Sequence, residues 1–179
     1  MITEKMKILD ACCGGKMFWY NKHEPHTTYM DIREGNYTIT NQKTTKKVIV
    51  DPDIIADFRD MPFPDNHFDM VLFDPPHLIW VGPNSYMKAQ YGELPKDWRL
   101  YLKKGFDECM RVLKPSGTLI FKWSDVQIKM RDVLNVIGYQ PIFGDKRSTT
   151  RWVVFLKQQP TSLDPHNYNL EQETAHANN

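Results

Sequence analysis

Ile55-Ala56-Asp57-Phe58-Arg59-Asp60-Met61-Pro62-Phe63-Pro64-Asp65-Asn66-His67-Phe68-Asp69-Met70-Val71-Leu72-Phe73-Asp74-Pro75-Pro76-His77 is the stretch on which the fold turns. Asp69 to Phe73 is a short run of the buried-strand type, and the two prolines forbid its continuation as strand or helix, so the strand ends at Asp74. Upstream, a strand through Ile55 ends at Asp57, and Pro64 to Phe68 forms the turn between the two. Outward from here the pattern alternates. Leu102, Phe106, Cys109, Met110 and Leu113 recur at offsets of 4, 7, 8 and 11, the apolar stripe of a helix that Pro115 and Gly117 stop. Thr118 to Lys122 is the next strand. Ser124 and Gln127 form a capping-box pattern ahead of a second helix through Val126, Met130, Val133, Leu134 and Ile137, closed by Gly138. Pro141 to Phe143 and Trp152 to Leu156 supply the last strands. This alternation predicts an α/β layer fold with a mainly parallel sheet.

Toward the N-terminus, Met6 to Leu9 reads as the first strand and runs into Asp10-Ala11-Cys12-Cys13-Gly14-Gly15, small residues where a turn must let a ligand approach. Lys16 is followed by Met17 and the first glycine of a G-x-x-x-x-G-K-[ST] loop is missing, so this is not a nucleotide triphosphate cradle. A G-x-G-x-x-G fingerprint is absent too. A second strand, Thr28 to Asp31, ends 21 positions after Asp10, a spacing at which an acidic residue can accept both ribose hydroxyls of an adenosyl group. Tyr37 to Val50 alternates around Asn41-Gln42-Lys43 and suits a hairpin insertion.

The bulk numbers exclude several classes. With 179 residues, one domain over residues 1–157 is expected, and 23 Lys+Arg against 22 Asp+Glu leave a formal charge of +1, no global field for a polyanion or an anionic membrane. No apolar stretch approaches the roughly 18 to 20 residues that span a bilayer, and residues 1–5 lack a signal-peptide profile, so a cytoplasmic protein is expected. Three cysteines, two of them adjacent, make no disulfide framework; Cys12, Cys13, His23 and His26 lack zinc spacing, so no metal is expected. Residues 158–179 are polar and predict a mobile tail.

Taken together, the strand-end features of Asp10 with its glycine turn, Asp31, Asp57-Phe58 and Asp74-Pro75-Pro76-His77 resemble the class I S-adenosylmethionine-dependent methyltransferases over about Lys7 to Leu156. More narrowly, they look like short bacterial and phage amino-methyltransferases. The resemblance implies a Rossmann-like, seven-stranded, mainly parallel sheet with Trp152 to Leu156 antiparallel, and S-adenosylmethionine as cofactor. It implies that Asp10 and Gly14 line the methionine portion of the donor, Asp31 holds the ribose and Asp57 bonds the adenine amino group beside Phe58, with Ala11, Cys12 and Ile32 also binding the donor. Cys12 stands where many members have Gly, and Lys16 where a further Gly is common. Phe18, Trp19 and Tyr20, at an expected helix start, could cover a sulfonium or serve as core.

An exocyclic amino group on an aromatic ring is a poor nucleophile because its lone pair is delocalised. Acceptors aimed at its hydrogens draw it toward a tetrahedral nitrogen, and a carboxylate stabilises the positive charge that develops. Asp74 and the Pro75 carbonyl can act so if Pro75 and Pro76 fix the turn; His77 would then stack on the base or handle a proton. The resemblance implies methyl transfer to such an amino group, with adenine N6 of DNA or RNA the first expectation. A small molecule or protein amide is the alternative acceptor, and an inactive binding module the alternative class. Leu78 to Lys104 interleaves Trp80, Tyr86, Tyr91, Trp98 and Tyr101 with Lys88, Lys96, Arg99, Lys103 and Lys104 against only Glu93 and Asp97, as a stacking surface for unpaired or locally opened nucleic acid requires. Trp80, Tyr86, Lys88, Trp98 and Arg99 are the substrate candidates, although such aromatics could equally form a lid that packs on the core. Gripping a duplex would need a homodimer or an accessory partner.

Overall fold

Ile8–Asp10 (β1) and Thr27–Asp31 (β2) pair in parallel, yet residues 11–26 between them run through turns without a helix. The helix start expected at Phe18 is therefore absent: Lys16 adopts a left-handed φ of 53° and its N–H donates back to the Cys13 carbonyl, which turns the chain. The structure, a computed structural model, describes residues 5–40, 44–145 and 149–158. Gly35–Thr40 (β3) and Thr45–Val50 (β4) form an antiparallel hairpin outside the main sheet, starting two residues before the expected Tyr37; its tip, 41–43, and the tail, 159–179, lie outside the described residues.

Ile54–Ile55 (β5) pairs in parallel with β2 and stops short of Asp57, where the strand was expected to end. The cause is local. Asp57 Oδ1 accepts the Arg59 N–H, an Asx-type bond that turns the backbone out of the sheet. Phe68–Phe73 (β6) ends where the prolines require. Tyr86–Tyr91 (α1) and Trp98–Val112 (α2) follow, then Leu113–Ser124 (β7), Met130–Ile137 (α3), Phe143–Gly144 (β8) and Thr150–Leu156 (β9).

The capping box expected at Ser124 and Gln127 does not form. Ser124 is the last residue of β7, and α3 begins only at Met130. The N-cap position falls on Lys129, whose side chain makes no cap bond; Asp125 Oδ1 instead accepts the Met130 N–H at 2.7 Å from outside the helix. Gln127 is used elsewhere: its Oε1 accepts the N–H groups of Ile79 (2.8 Å) and Trp80 (3.1 Å), and its Nε2 donates to the Trp80 carbonyl (2.8 Å).

The seven-stranded sheet has the order β5-β2-β1-β6-β7-β9-β8, and β9 is the one strand that runs antiparallel to its neighbours. Strand alternation gives it two unlike faces. Leu9, Val71, Phe73, Leu119, Phe121, Trp123, Val153 and Phe155 point into one core with α2 and α3, through Leu102, Phe106, Val133 and Ile137. Ile8, Met70, Leu72 and Ile120 point the other way, into an open cleft walled by Phe18, Trp19 and Tyr20. The hairpin packs on α1, where Val48 and Val50 bury Ala89 against Tyr37 and Tyr86.

Candidate active site

In an open α/β sheet, ligands bind beyond the carboxyl ends of the strands at the point where strand order reverses, here between β1 and β6. Asp10 ends β1 and Asp74 follows β6, so both carboxylates fall at that point. The sheet adds a third group. The register pairs Phe73 with Phe121 and Lys122 with Trp152, and one further step sets Asp74 beside Lys122. Lys122 Nζ donates to Asp74 Oδ2 at 3.0 Å.

These groups are sequestered. Asp74 is 5% exposed and burial raises its pKa to about 6 against the opposing pull of Lys122. Burial raises Asp10 to about 7, opposed by the Trp19 indole N–H on its Oδ2 and reinforced by the charge of Asp74. Asp10 Oδ1, Asp74 Oδ1 and His77 Nδ1 are buried without hydrogen-bond partners among the described residues. Burial pushes His77 down to about 4, with Lys122 adding to the shift, so its imidazole is neutral near pH 7 and the near-neutral proton carrier considered from sequence is not its state here. Its ring packs edge-on against Tyr91 (5.1 Å) and Trp123 (6.2 Å).

Next to this row, Cys12, Asp31, Ile32, Phe58, Pro76 and Tyr101 line one cleft. Four of the eight residues singled out for the donor therefore share a wall. Asp31 is held in place by the Gly14 N–H on its Oδ2 (2.9 Å) and the Arg33 N–H on its Oδ1 (2.9 Å). Ala11 is buried beside them and donates its N–H to the Leu72 carbonyl. Asp57 lies outside the cleft lining and is paired with Arg59, whose hydrogen bonds hold its pKa down. Phe58 is buried edge-on between Phe73 and Tyr101, and a Cβ at Gly105 would stand 2.5 Å from its ring. Gly14, at a φ of 48°, is needed twice over, since a Cβ there would also meet the Gln90 carbonyl at 2.6 Å.

Arg33 ties this cleft to α1. Its guanidinium reaches Asp31 Oδ1 at 3.1 Å and Oδ2 at 3.3 Å, and the carbonyls of Ala89 at 3.0 Å and Gln90 at 3.3 Å. Neither Arg33 nor Lys122 was singled out from sequence. Arg33 lies two residues beyond a singled-out carboxylate and Lys122 at a strand end, but what makes them matter is contact across the sheet and the lid.

The substrate candidates are dispersed. Trp98 is buried at 6% exposure with Arg99 over its ring, Tyr86 packs on the hairpin beneath Lys46, and Lys88 pairs with Glu93. Trp80, 72% exposed with Lys96 near its ring, is the candidate that presents a free aromatic face. The aromatics beside Asp74 and Lys122 are others: Phe18, Tyr91 and Trp152 surround Lys122. Among the described residues no cluster of His, Cys, Asp and Glu could hold a metal ion.

The sheet order and its single reversed strand are those of the Rossmann-like fold of class I methyltransferases. Residues 9–75 match the family model of a methyltransferase domain. Among solved structures, the chain is similar to the PH0226 protein of Pyrococcus horikoshii OT3, at 17% identity and a TM-score of 0.55, covering 88% of this chain and 84% of that one. It also matches a putative type 11 methyltransferase from Sulfolobus solfataricus, at 13% identity and a TM-score of 0.49 over 92% of this chain and 90% of that one. A third match is a Burkholderia thailandensis 1,6-didemethyltoxoflavin-N1-methyltransferase with bound S-adenosylhomocysteine, at 11% identity and a TM-score of 0.46 over 85% and 71% of the two chains. No curated protein matches the chain in sequence. The family match supports S-adenosylmethionine as the cofactor. The donor set fits it: an acidic acceptor for a ribose at the β2 end, a glycine turn beside it, and a buried carboxylate with an unused oxygen at the β1 end. No helix among the described residues is long and apolar enough to cross a membrane.

Proposed function

We propose that the protein transfers the methyl group of S-adenosylmethionine to an exocyclic amino group of a nucleobase, adenine N6 of DNA or RNA first among them. The observation that carries the reading is Asp74, buried at the switch point with one oxygen held by Lys122 and the other without a partner among the described residues. When bound, the donor supplies a methyl group on a positively charged sulfur. Asp31 holds the ribose, and Asp10 lies toward the methionine end. Asp74 Oδ1 accepts a hydrogen of the acceptor's amino group and faces the charge that grows on nitrogen. Pro75 and Pro76 keep the loop from relaxing, and the neutral His77 fills the space behind it. Exposed Trp80 with Lys96 offers a ring and a cation to a flanking unpaired base.

An amino group on a small molecule is the second reading. What favours it is that Tyr86, Lys88 and Trp98 are engaged within the molecule and offer little surface to a polymer. The test is incubation with methyl-labelled donor and single-stranded DNA, single-stranded RNA, matched duplex and free nucleosides, followed by mass spectrometry of the digested products. Label on a base amino group of a polynucleotide supports the first reading. Label on free nucleosides alone supports the second. Asp74→Ala is expected to lower transfer by about 100-fold or more while leaving donor affinity nearly unchanged, because it touches the acceptor and not the donor. Transfer at the wild-type rate by Asp74→Ala would overturn the assignment.

A further inference from the structure

Lys122 stands where a carboxylate and three aromatic rings meet. Its ammonium is 3.0 Å from Asp74 Oδ2 and 3.5 Å from the Tyr91 hydroxyl. It lies 4.7 Å from the ring centre of Phe18, 4.8 Å from that of Tyr91 and 5.9 Å from that of Trp152. Ring faces and a carboxylate thus stand around the ammonium where burial removes water. The placement follows from register: β9, β7 and β6 lay Trp152, Lys122 and Asp74 side by side on the sheet face away from α2 and α3.

A carboxylate this deeply buried is disfavoured as an anion. Asp10 at the end of β1 adds negative charge nearby, Cys12 in the first loop and His77 in the catalytic loop are uncharged near pH 7, and Tyr91 from α1 keeps its proton there. Lys122 is the cation within salt-bridge distance of Asp74 among the described residues. If the Asp74 carboxyl were protonated, its O–H would compete as a donor with the acceptor's amino hydrogens and it could not face a growing positive charge.

We propose that Lys122 is the positioning residue of the acceptor site, holding Asp74 by Oδ2 as an anion and leaving Oδ1 for the acceptor's amino hydrogen. The proposal rests on the reading that Asp74 serves the acceptor. In the step it supports, the acceptor nitrogen's lone pair forms the N–C bond to the methyl group as the C–S bond breaks, with that bond's electron pair going to sulfur. The nitrogen then gives up one proton, through Asp74 Oδ1, to water.

The primary measurement needs no acceptor. The carboxyl carbon of Asp74 is followed by NMR in protein labelled at aspartate, with Asp74→Asn identifying the signal, in wild type, Lys122→Met and Lys122→Arg. In Lys122→Met the titration midpoint of Asp74 is expected to move up by one pH unit or more, and in Lys122→Arg to stay near that of the wild type. Methyl transfer to a single-stranded adenine-containing oligonucleotide gives the second readout. The acid limb of kcat is expected to move upward with the same midpoint in Lys122→Met and to be restored in Lys122→Arg, with donor affinity by calorimetry within about threefold of wild type in both. An unmoved Asp74 midpoint in folded Lys122→Met overturns the proposal. Should Lys122→Met not fold, a Lys122→Arg protein that folds but titrates Asp74 a unit or more higher overturns it as well. Failure of the functional reading looks different: Asp74→Ala would then transfer methyl groups normally, whatever the carboxyl titration shows.

Discussion

Asp10 is a carboxylate almost without water, and its ionised form is correspondingly expensive. Burial raises its pKa from the ordinary 3.8 to about 7, so the folded protein binds this proton more tightly than the unfolded chain does. Stability contributed in this way is present below about pH 4 and is lost as pH rises to about 7, the reverse of a salt-bridged aspartate. Asp10→Asn keeps an acceptor for the Trp19 indole and removes the charge. Thermal unfolding at several pH values is expected to show Asp10→Asn more stable than wild type at pH 8, by on the order of 1 to 4 kcal/mol, with the gain shrinking to nothing by about pH 4. An Asp10→Asn protein less stable than wild type at pH 8 would mean that the buried anion is compensated by contacts beyond the Trp19 bond.

At the scale of elements, α1 is a short helix whose position depends on its neighbours. Six residues cannot hold a helix by propensity alone, and this one leans on the hairpin through Ala89 and on Arg33 through the carbonyls of Lys88, Ala89 and Gln90. Arg33 shares itself between those carbonyls and the Asp31 carboxylate, and so links the β2 end to the seating of α1 over Gly14 and Gly15. On the proposed assignment, a ribose hydroxyl on Asp31 would compete with the guanidinium and couple donor binding to that seating. In Arg33→Ala, amide hydrogen exchange across Tyr86–Tyr91 is expected to accelerate by about tenfold or more in the donor-free protein, while the amides of β6 stay protected. Unchanged exchange in α1 would assign its seating to the hairpin alone.

Across the whole molecule, the two sheet faces do unequal work. One carries the core with α2 and α3; among the described residues the other is an open cleft walled by Phe18, Trp19, Tyr20, Asn21 and Glu24, although parallel sheets are ordinarily covered on both faces. Neighbouring residues of β7 report on this directly, since Leu119 is fully buried in the core while Ile120 lines the open cleft. Leu119→Ala is expected to cost about 2 to 5 kcal/mol of unfolding free energy and Ile120→Ala about 1 kcal/mol or less. Comparable losses from both, measured by denaturant titration, would show that the open face is covered in solution.

Period and punctuation alone determine much of this protein. The prolines after Asp74, the 3.6-residue stripe of α2 and the strand-end carboxylates are local signals, set by backbone sterics and by which side chains must leave water, and they are legible one segment at a time. Neighbours decided the rest. Ser124 and Gln127 have the letters of a cap, but β7 carries Ser124 along β9 and the Trp80 backbone claims Gln127, while the carboxylate of Asp125 reaches the helix start. The aromatic and basic run after His77 has the composition of a stacking surface, yet Trp98 turns into the core because α2 must bury that side. Strand register, which no single segment encodes, set Lys122 and Trp152 beside Asp74. Hydrogen bonding between strands distant in the chain fixes that register, and only closing the sheet brings those residues within reach of one another.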